Sequence, residues 1–226
     1  MRAEGKGQTG AGAHRAARKD LLLLQFSRAP QPGQVKTRMQ PHLSAQQACD
    51  LHCDLTRWTC RQLLDSALGD VELAVAGERR IPLFTECIEI GASRVVRQRG
   101  DDLGQRMYNA MRCALARYTR VILVGSDCPG IDTAYLRQAV EALHDVPLVL
   151  GPARDGGYVL LGARAIEAPM FQGINWGSAE VFQQTVAALS RLEVRWAQLP
   201  FKDDIDRPED LPIWESIQRE NRSSPA

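Results

Sequence analysis

The sequence predicts a single-domain α/β protein with three layers, in which helices cover both faces of a mainly parallel sheet. Three observations carry this. Short apolar runs alternate with longer amphipathic stretches, the pattern of repeated βαβ units. The run Val121-Ile122-Leu123-Val124 is continuous and mostly β-branched, which suits a strand buried on both faces. Finally, 226 residues of which 44% are hydrophobic suffice for one core of ordinary size, and neither an internal repeat nor a domain boundary interrupts them.

In chain order, residues 1–19 are rich in Gly, Ala, Arg and Lys with no apolar period, and read as a disordered basic arm. Residues 20–26 give the first strand. Pro30, Pro32 and Gly33 then exclude regular structure, and Lys36, Thr37 and Arg38 follow at once. Residues 44–68 read as a long helix, with Ser44 at its N-cap and Gly69 beyond its end. A second strand falls at 71–76 and a polar loop at 77–81. Residues 86–96 fit no single period, with room for one short strand. A helix opens near Asp102 and runs to about residue 118, where Asp102 suits either the helix dipole or a ligand.

The central strand, 121–124, stops at Gly125. Ser126, Asp127, Cys128, Pro129 and Gly130 then turn the chain into a helix over 133–143. A strand at 146–150 leads to Asp155-Gly156-Gly157-Tyr158 and a strand at 159–163. The Gly pair serves close approach to a ligand or a plain hairpin turn. Trp176 lies on a polar, glycine-containing loop, placed to stack on a ligand or to pack beneath it. A helix over 178–192, a strand over 194–199 and a final helix opened by Pro208 complete the domain at 20–218, leaving a frayed tail at 219–226.

Composition narrows the partners. Net charge is +1, which supplies no electrostatic case for a nucleic acid or an anionic membrane. No apolar run approaches the roughly 18–20 residues that span a bilayer. Six cysteines without a Cys-x-x-Cys pair or a secretory signal read as reduced thiols of a cytoplasmic protein. Cys49, Cys53 and Cys60 share a helix face. With His52 beside them they allow a metal site, but a core stripe is the better reading, since buried thiols behave as small hydrophobes.

Chemistry gathers where strands end. In open α/β sheets ligands bind beyond the carboxyl ends of the strands. Asp127 and Asp206 each follow an expected strand, so both edges meeting would let them share one divalent ion, Mg²⁺ or Mn²⁺, with substrate phosphates. The loop through Pro32, Gly33, Lys36, Thr37 and Arg38 would lie above the first strand, offering backbone N–H groups, a point charge and a guanidinium fork to phosphates. It has neither P-loop spacing nor a dinucleotide fingerprint. Turn and capping roles are the plain alternatives for Asp127, Asp155 and Asp206.

Six motifs in order then carry a resemblance: Ala29-Pro30-x-Pro32-Gly33-x-Val35-Lys36-Thr37-Arg38, Asp102-Leu103-Gly104-x-Arg106-Met107, Gly125-Ser126-Asp127-Cys128-Pro129, Gly151-Pro152-Ala153-x-Asp155-Gly156-Gly157-Tyr158, Trp176-Gly177 and Asp204-Ile205-Asp206-x-Pro208-Glu209-Asp210-Leu211. Together they resemble a GT-A-type family of uncharacterised glycosyltransferase-like proteins, some called radical-SAM/selenodomain-associated or arsenosugar-biosynthesis transferases. The resemblance covers about residues 20–215. More distantly the chain is similar to guanylyltransferases of molybdenum-cofactor assembly and to CMP-sugar synthetases. It implies a nucleotide-diphospho-sugar transferase fold. It also implies nucleotide phosphates at Lys36 and Arg38, joined by Pro32, Gly33, Thr37, Asp102 and Ser126, and metal at Asp127 and Asp206. Asp155 is implied as the catalytic group beside an acceptor pocket of Gly156, Gly157, Tyr158 and Trp176. The chain departs from the family pattern at Asp101-Asp102, where one Asp is expected, and at Arg207, where Thr is usual. It also carries Ser126 before a single acid rather than an Asp-x-Asp.

The function expected from this is transfer from a nucleotide-activated donor to a small-molecule acceptor. The first form is a glycosyltransferase using a nucleotide diphosphate sugar. The second is a nucleotidyltransferase using a nucleoside triphosphate, and the third is a nucleotide-binding protein without turnover.

Overall fold

In the computed structural model, which describes residues 18–223, strand β1 (Lys19–Arg28) explains its own run of leucines. Leu21 and Leu23 enter a core beneath α1 (Ala45–Asp65), α2 (Pro82–Glu89) and α4 (Thr133–Asp145). Leu22 and Leu24 enter the opposite core beneath α3 (Leu103–Leu115) and α5 (Val181–Arg191). Successive residues of a strand face opposite sides, so a strand covered on both faces needs apolar residues at every position.

The remaining strands are β2 (Asp70–Ala76), β3 (Arg94–Arg97), β4 (Tyr118–Val124), β5 (Leu148–Pro152), β6 (Tyr158–Ala163) and β7 (Trp196–Gln198). They form one sheet in the order β3-β2-β1-β4-β6-β5-β7. The pairs β1–β2, β1–β4, β2–β3 and β5–β7 are parallel. Strand β6 alone runs against its neighbours β4 and β5, because the short connection at 153–157 permits a hairpin and not a crossover. The sheet is thus mainly parallel within three layers, as the sequence predicts.

Ser44 caps α1 through a reciprocal capping box with Gln47. Cys49 and Cys60 are buried and Cys53 half-buried, and Cys60 packs in the same core as Cys87, so the cysteine stripe is core. Among the described residues no group of three His, Cys, Asp or Glu side chains is arranged to hold a metal ion. Among them also, no helix is long and apolar enough to cross a membrane.

Several boundaries move. Lys19 belongs to β1 and not to the expected arm, since its backbone N–H pairs with Arg117 O; residues 1–17 of that arm lie outside the described residues. Helix α6 (Leu211–Ser223) continues through 219–223, where a tail is expected. The ambiguous stretch resolves into α2 and β3. Eight and four residues are too few to display a period, and Pro82 at the first turn is the one signal that α2 leaves in the sequence. Strand β4 begins at Tyr118, whose ring is buried where the expected helix would have continued.

A third cluster positions the site. Met39 from the loop after β1, Ala48, Leu51 and Leu55 from α1, Ile205 from the loop after β7, and Trp214 from α6 pack together. Two loops far apart in sequence are thereby clamped at the same end of the sheet.

Candidate functional site

The loop after β1 is held by two buried side chains, Val35 and Met39, on either side of Lys36. Between them Lys36 adopts φ 48°, ψ 38°, the left-handed region that residues with a Cβ seldom occupy. That backbone sends its side chain inward, where it is only 5% exposed. Its Nζ donates to Asp127 Oδ2 at 3.1 Å and lies 3.7 Å from Asp206 Oδ1. Arg38 Nη1 donates to Asp206 Oδ2 at 2.6 Å. The two acids and two cations singled out from the sequence therefore meet in one constellation.

Local structure explains the meeting. Gly125 leaves room for Asp127, because a Cβ there would stand 2.8 Å from Asp127 Oδ1. Ile205 is fully buried, and its N–H donates to Asp127 O at 2.8 Å, which ties the late loop to the end of β4. Asp204 and Asp206 flank that anchor and remain partly exposed. Asp210 then accepts from the N–H groups of Asp206 at 2.9 Å and Arg207 at 2.7 Å. The final acid of the Pro-Glu-Asp segment thus fixes the backbone that carries Asp206.

Burial would raise the Asp127 carboxyl, but the charge and hydrogen bond of the Lys36 ammonium outweigh it and hold the group below the usual carboxylate range. Among the described residues no ammonium is hydrogen-bonded to Asp204, and the charge of Lys36 only partly offsets what raises it. Burial first, then the negative charges of Asp155 and Asp127, push it up to about 7. Arg38 is held further toward its charged form by its hydrogen bond to Asp206 and then by the charges of Asp206, Asp155 and Asp204. Four aspartates and two cations therefore sense one another. The Lys36 ammonium reaches both Asp127 and Asp206, and among the described residues no third His, Cys, Asp or Glu joins them in a group arranged to hold a metal ion.

The other predicted residues divide. Asp155 is exposed, and its Oδ1 accepts from Gly157 N at 2.8 Å, so it both shapes the turn and stands at the rim. Gly156, at φ 92°, is required because a Cβ would lie 2.0 Å from Ala179 O. Pro32, Gly33 and Thr37 are exposed on the lip of the loop. The Ser126 hydroxyl is buried, donating to Phe26 O at 2.7 Å and accepting from Gln25 Nε2 at 2.9 Å. Asp102 caps α3 by accepting from Gln105 N at 2.7 Å. Tyr158 and Trp176 meet edge to face with centroids 6.4 Å apart, and the Tyr158 hydroxyl points to Met107 Sδ at 3.8 Å.

The Trp176 indole rests on the backbone of Gly104, where a Cβ would come within 2.5 Å of the ring. Gly104→Ala is therefore expected to destabilise the chain by about 1–3 kcal/mol, the range for overpacking a filled site. Gly130→Ala, whose Cβ would meet only the flexible Lys202 side chain at 3.6 Å, serves as the comparison. Denaturant midpoints measure both; equal midpoints for the two variants would contradict this packing.

Beside Asp127 lies a cavity of ≈ 380 Å³ lined by Ser27, His52, Gln98, Arg106, Asp127 and Tyr158 among others. Its size falls in the range of small-molecule sites. Gln98 is not expected here from sequence, His52 is expected only beside the cysteine stripe, and Asp204 only as the first residue of the late motif. Gln98 Nε2 donates to Ser27 O and Ala74 O, bracing the cavity wall. His52 Nε2 is 2.9 Å from Arg28 O, and burial lowers its pKa. Only Asp204 leaves a usable trace in sequence, as an acid two residues before Asp206 with an apolar residue between.

Solved structures carry the same architecture. The fold matches a protein of Desulfovibrio desulfuricans G20 assigned provisionally as a nucleotide-diphospho-sugar transferase, with TM-score 0.78, 29% identity, and 91% of this chain and 96% of that chain covered. It also matches a CMP:2-keto-3-deoxy-manno-octonic acid synthetase complexed with CTP, with TM-score 0.57 and 10% identity over 90% of this chain and 100% of that one. A 4-diphosphocytidyl-2C-methyl-D-erythritol synthase of Anaerococcus prevotii gives TM-score 0.60 and 9% identity over 89% and 99%. The last two share the fold alone. These likenesses define a protein with the nucleotide-diphospho-sugar transferase fold. The chain belongs to the family described as uncharacterized protein conserved in bacteria (DUF2064), whose model matches residues 59–178. No curated protein matches the chain.

Proposed function

We propose that the chain is a transferase acting on a nucleotide-activated donor, and that the donor is a nucleotide diphosphate sugar. The observation that carries the reading is the single Lys36 ammonium between Asp127 and Asp206, with Arg38 beside it. Lys36 and Arg38 bind the donor diphosphate, one as a point charge and one as a fork. The nucleoside lies in the cavity walled by His52, Gln98 and Arg106. Asp155, exposed on the β5–β6 turn, orients the acceptor hydroxyl and receives its proton as the bond to the sugar forms. The diphosphate leaves against Lys36 and Arg38, whose charges offset the charge it gains. Asp127 and Asp206 would hold Mg²⁺ or Mn²⁺ together with the donor phosphates, and that ion would supply further neutralisation of the leaving group.

Nucleotidyl transfer is the second reading. It draws on the same two cations, which suit a leaving pyrophosphate, and on the CTP-bound structure that shares the fold. A titration panel separates the two. Binding and turnover of a nucleotide sugar with Mn²⁺, without triphosphate turnover, supports glycosyl transfer. Pyrophosphate release from a triphosphate in the presence of a phosphorylated acceptor supports the second. Binding without turnover of any donor would overturn both and leave a nucleotide-binding protein.

A further inference from the structure

We propose that a second anion site lies outside the candidate active site, in the cleft between the edge strand β3 and helix α3, and that it takes a small molecule carrying several phosphate groups. The cleft has a volume of ≈ 580 Å³ and a partly apolar floor that includes Leu24 and Ala110. Five arginines line it: Arg79, Arg94, Arg97, Arg99 and Arg117. The one acid among the lining residues is Glu72, and it is already taken. Arg117 grips it with two hydrogen bonds at 2.8 and 2.9 Å, and Arg94 lies 3.9 Å away. The guanidinium groups of Arg79, Arg97 and Arg99 make no ion pair or hydrogen bond among the described residues.

Charge on an edge strand has an ordinary use, since it discourages pairing with another chain. That use accounts for Arg94 and Arg97 on β3 itself. It does not account for the other three, which come from the β2–α2, β3–α3 and α3–β4 connections and converge on the same cleft. The whole chain carries a net charge of only +1, so this concentration is local and not a reflection of a basic protein. Gathered guanidinium groups repel one another unless an anion lies between them. Their forks match phosphate oxygens, and Arg117, locked onto Glu72 and stacked over Tyr118 at 5.0 Å, supplies a rigid wall. Three guanidinium groups without an ion pair among the described residues, gathered in one small cleft, match a compact chain of phosphates better than a single carboxylate. The inference does not depend on the transferase reading, because none of these residues belongs to the Lys36–Asp127–Asp206 constellation.

Cys113 provides the test. It lines the cleft and is exposed, whereas the other five cysteines are buried or half-buried. The full chain is treated with neutral iodoacetamide at physiological salt, and alkylation of Cys113 is followed by peptide mass spectrometry against rising tripolyphosphate. Tripolyphosphate is expected to protect Cys113 in a saturable way. In Arg97→Gln/Arg99→Gln the concentration for half-protection should rise about tenfold or more, the loss of two charge-assisted contacts. Arg80→Gln, outside the cleft, should behave as the parent. All three proteins are compared by melting temperature so that folding is monitored separately. Absence of protection, equal protection in Arg97→Gln/Arg99→Gln, or protection by a single-stranded oligonucleotide and not by tripolyphosphate would each overturn the proposal.

Discussion

Asp127→Asn is expected to abolish metal-assisted nucleotide binding while leaving the fold intact. With Mn²⁺ present, affinity for a nucleoside diphosphate should fall roughly a hundredfold, since losing one charged ligand costs about 3 kcal/mol. Without metal the loss should be slight, because an amide oxygen still accepts from Lys36. Stability should change by no more than about 1 kcal/mol, as Asp127 is 42% exposed and Lys36 keeps Asp206 within reach. Calorimetric titration with and without Mn²⁺ measures the difference. Identical affinities for the variant and the parent protein would remove Asp127 from the site.

Lys36→Ala carries the second large effect. It deletes the ammonium that two carboxylates share and leaves Arg38 as the remaining cation on Asp206. Ligands bearing phosphate should bind about ten- to a hundredfold more weakly, the range for one or two charge-assisted contacts. Free nucleosides, which present no phosphate, should bind as before. The unpaired acids should also cost stability, about 1–2 kcal/mol after allowance for their partial exposure. Parallel titrations with a nucleoside and its diphosphate separate the two effects; equal losses for both would point to damage to the fold instead.

Much of the architecture was legible because it rests on local rules. The leucine run of β1 and the β-branched run of β4 announce strands covered on both faces. Ser44 and Gln47 announce the start of α1. What escaped was short or context-dependent. Helix α2 and strand β3 are below the length at which a period emerges. No local pattern announces that the Ser126 hydroxyl bonds Phe26 O and Gln25 Nε2 at the cavity wall, whereas the cap that Asp102 makes at α3 is one of the two roles the sequence left open. The sequence left Trp176 either to stack on a ligand or to pack beneath its loop, and its indole lies against Gly104 and Tyr158.

The candidate site divides in the same way. Asp127, Asp206, Lys36 and Arg38 could be picked from sequence because strand ends followed by acids, and a proline-rich loop followed by cations, are chemically distinctive. Asp204 shows in sequence only as an acid two residues before Asp206; its raised pKa does not, being a product of burial and of neighbours on two other loops. Nor does the place of His52 and Gln98 in the cavity wall, since these residues come from a helix face and an edge connection.

By itself, then, the sequence determined the class of fold, its longer elements and which charged residues stand at strand ends, because each depends on neighbours a few positions away. Only the tertiary structure decided that Lys36 lies between Asp127 and Asp206, which polar side chains are consumed by caps and walls, and that five arginines converge beside β3. Those outcomes depend on buried anchors such as Met39 and Ile205, which draw distant segments together through packing that no local pattern encodes.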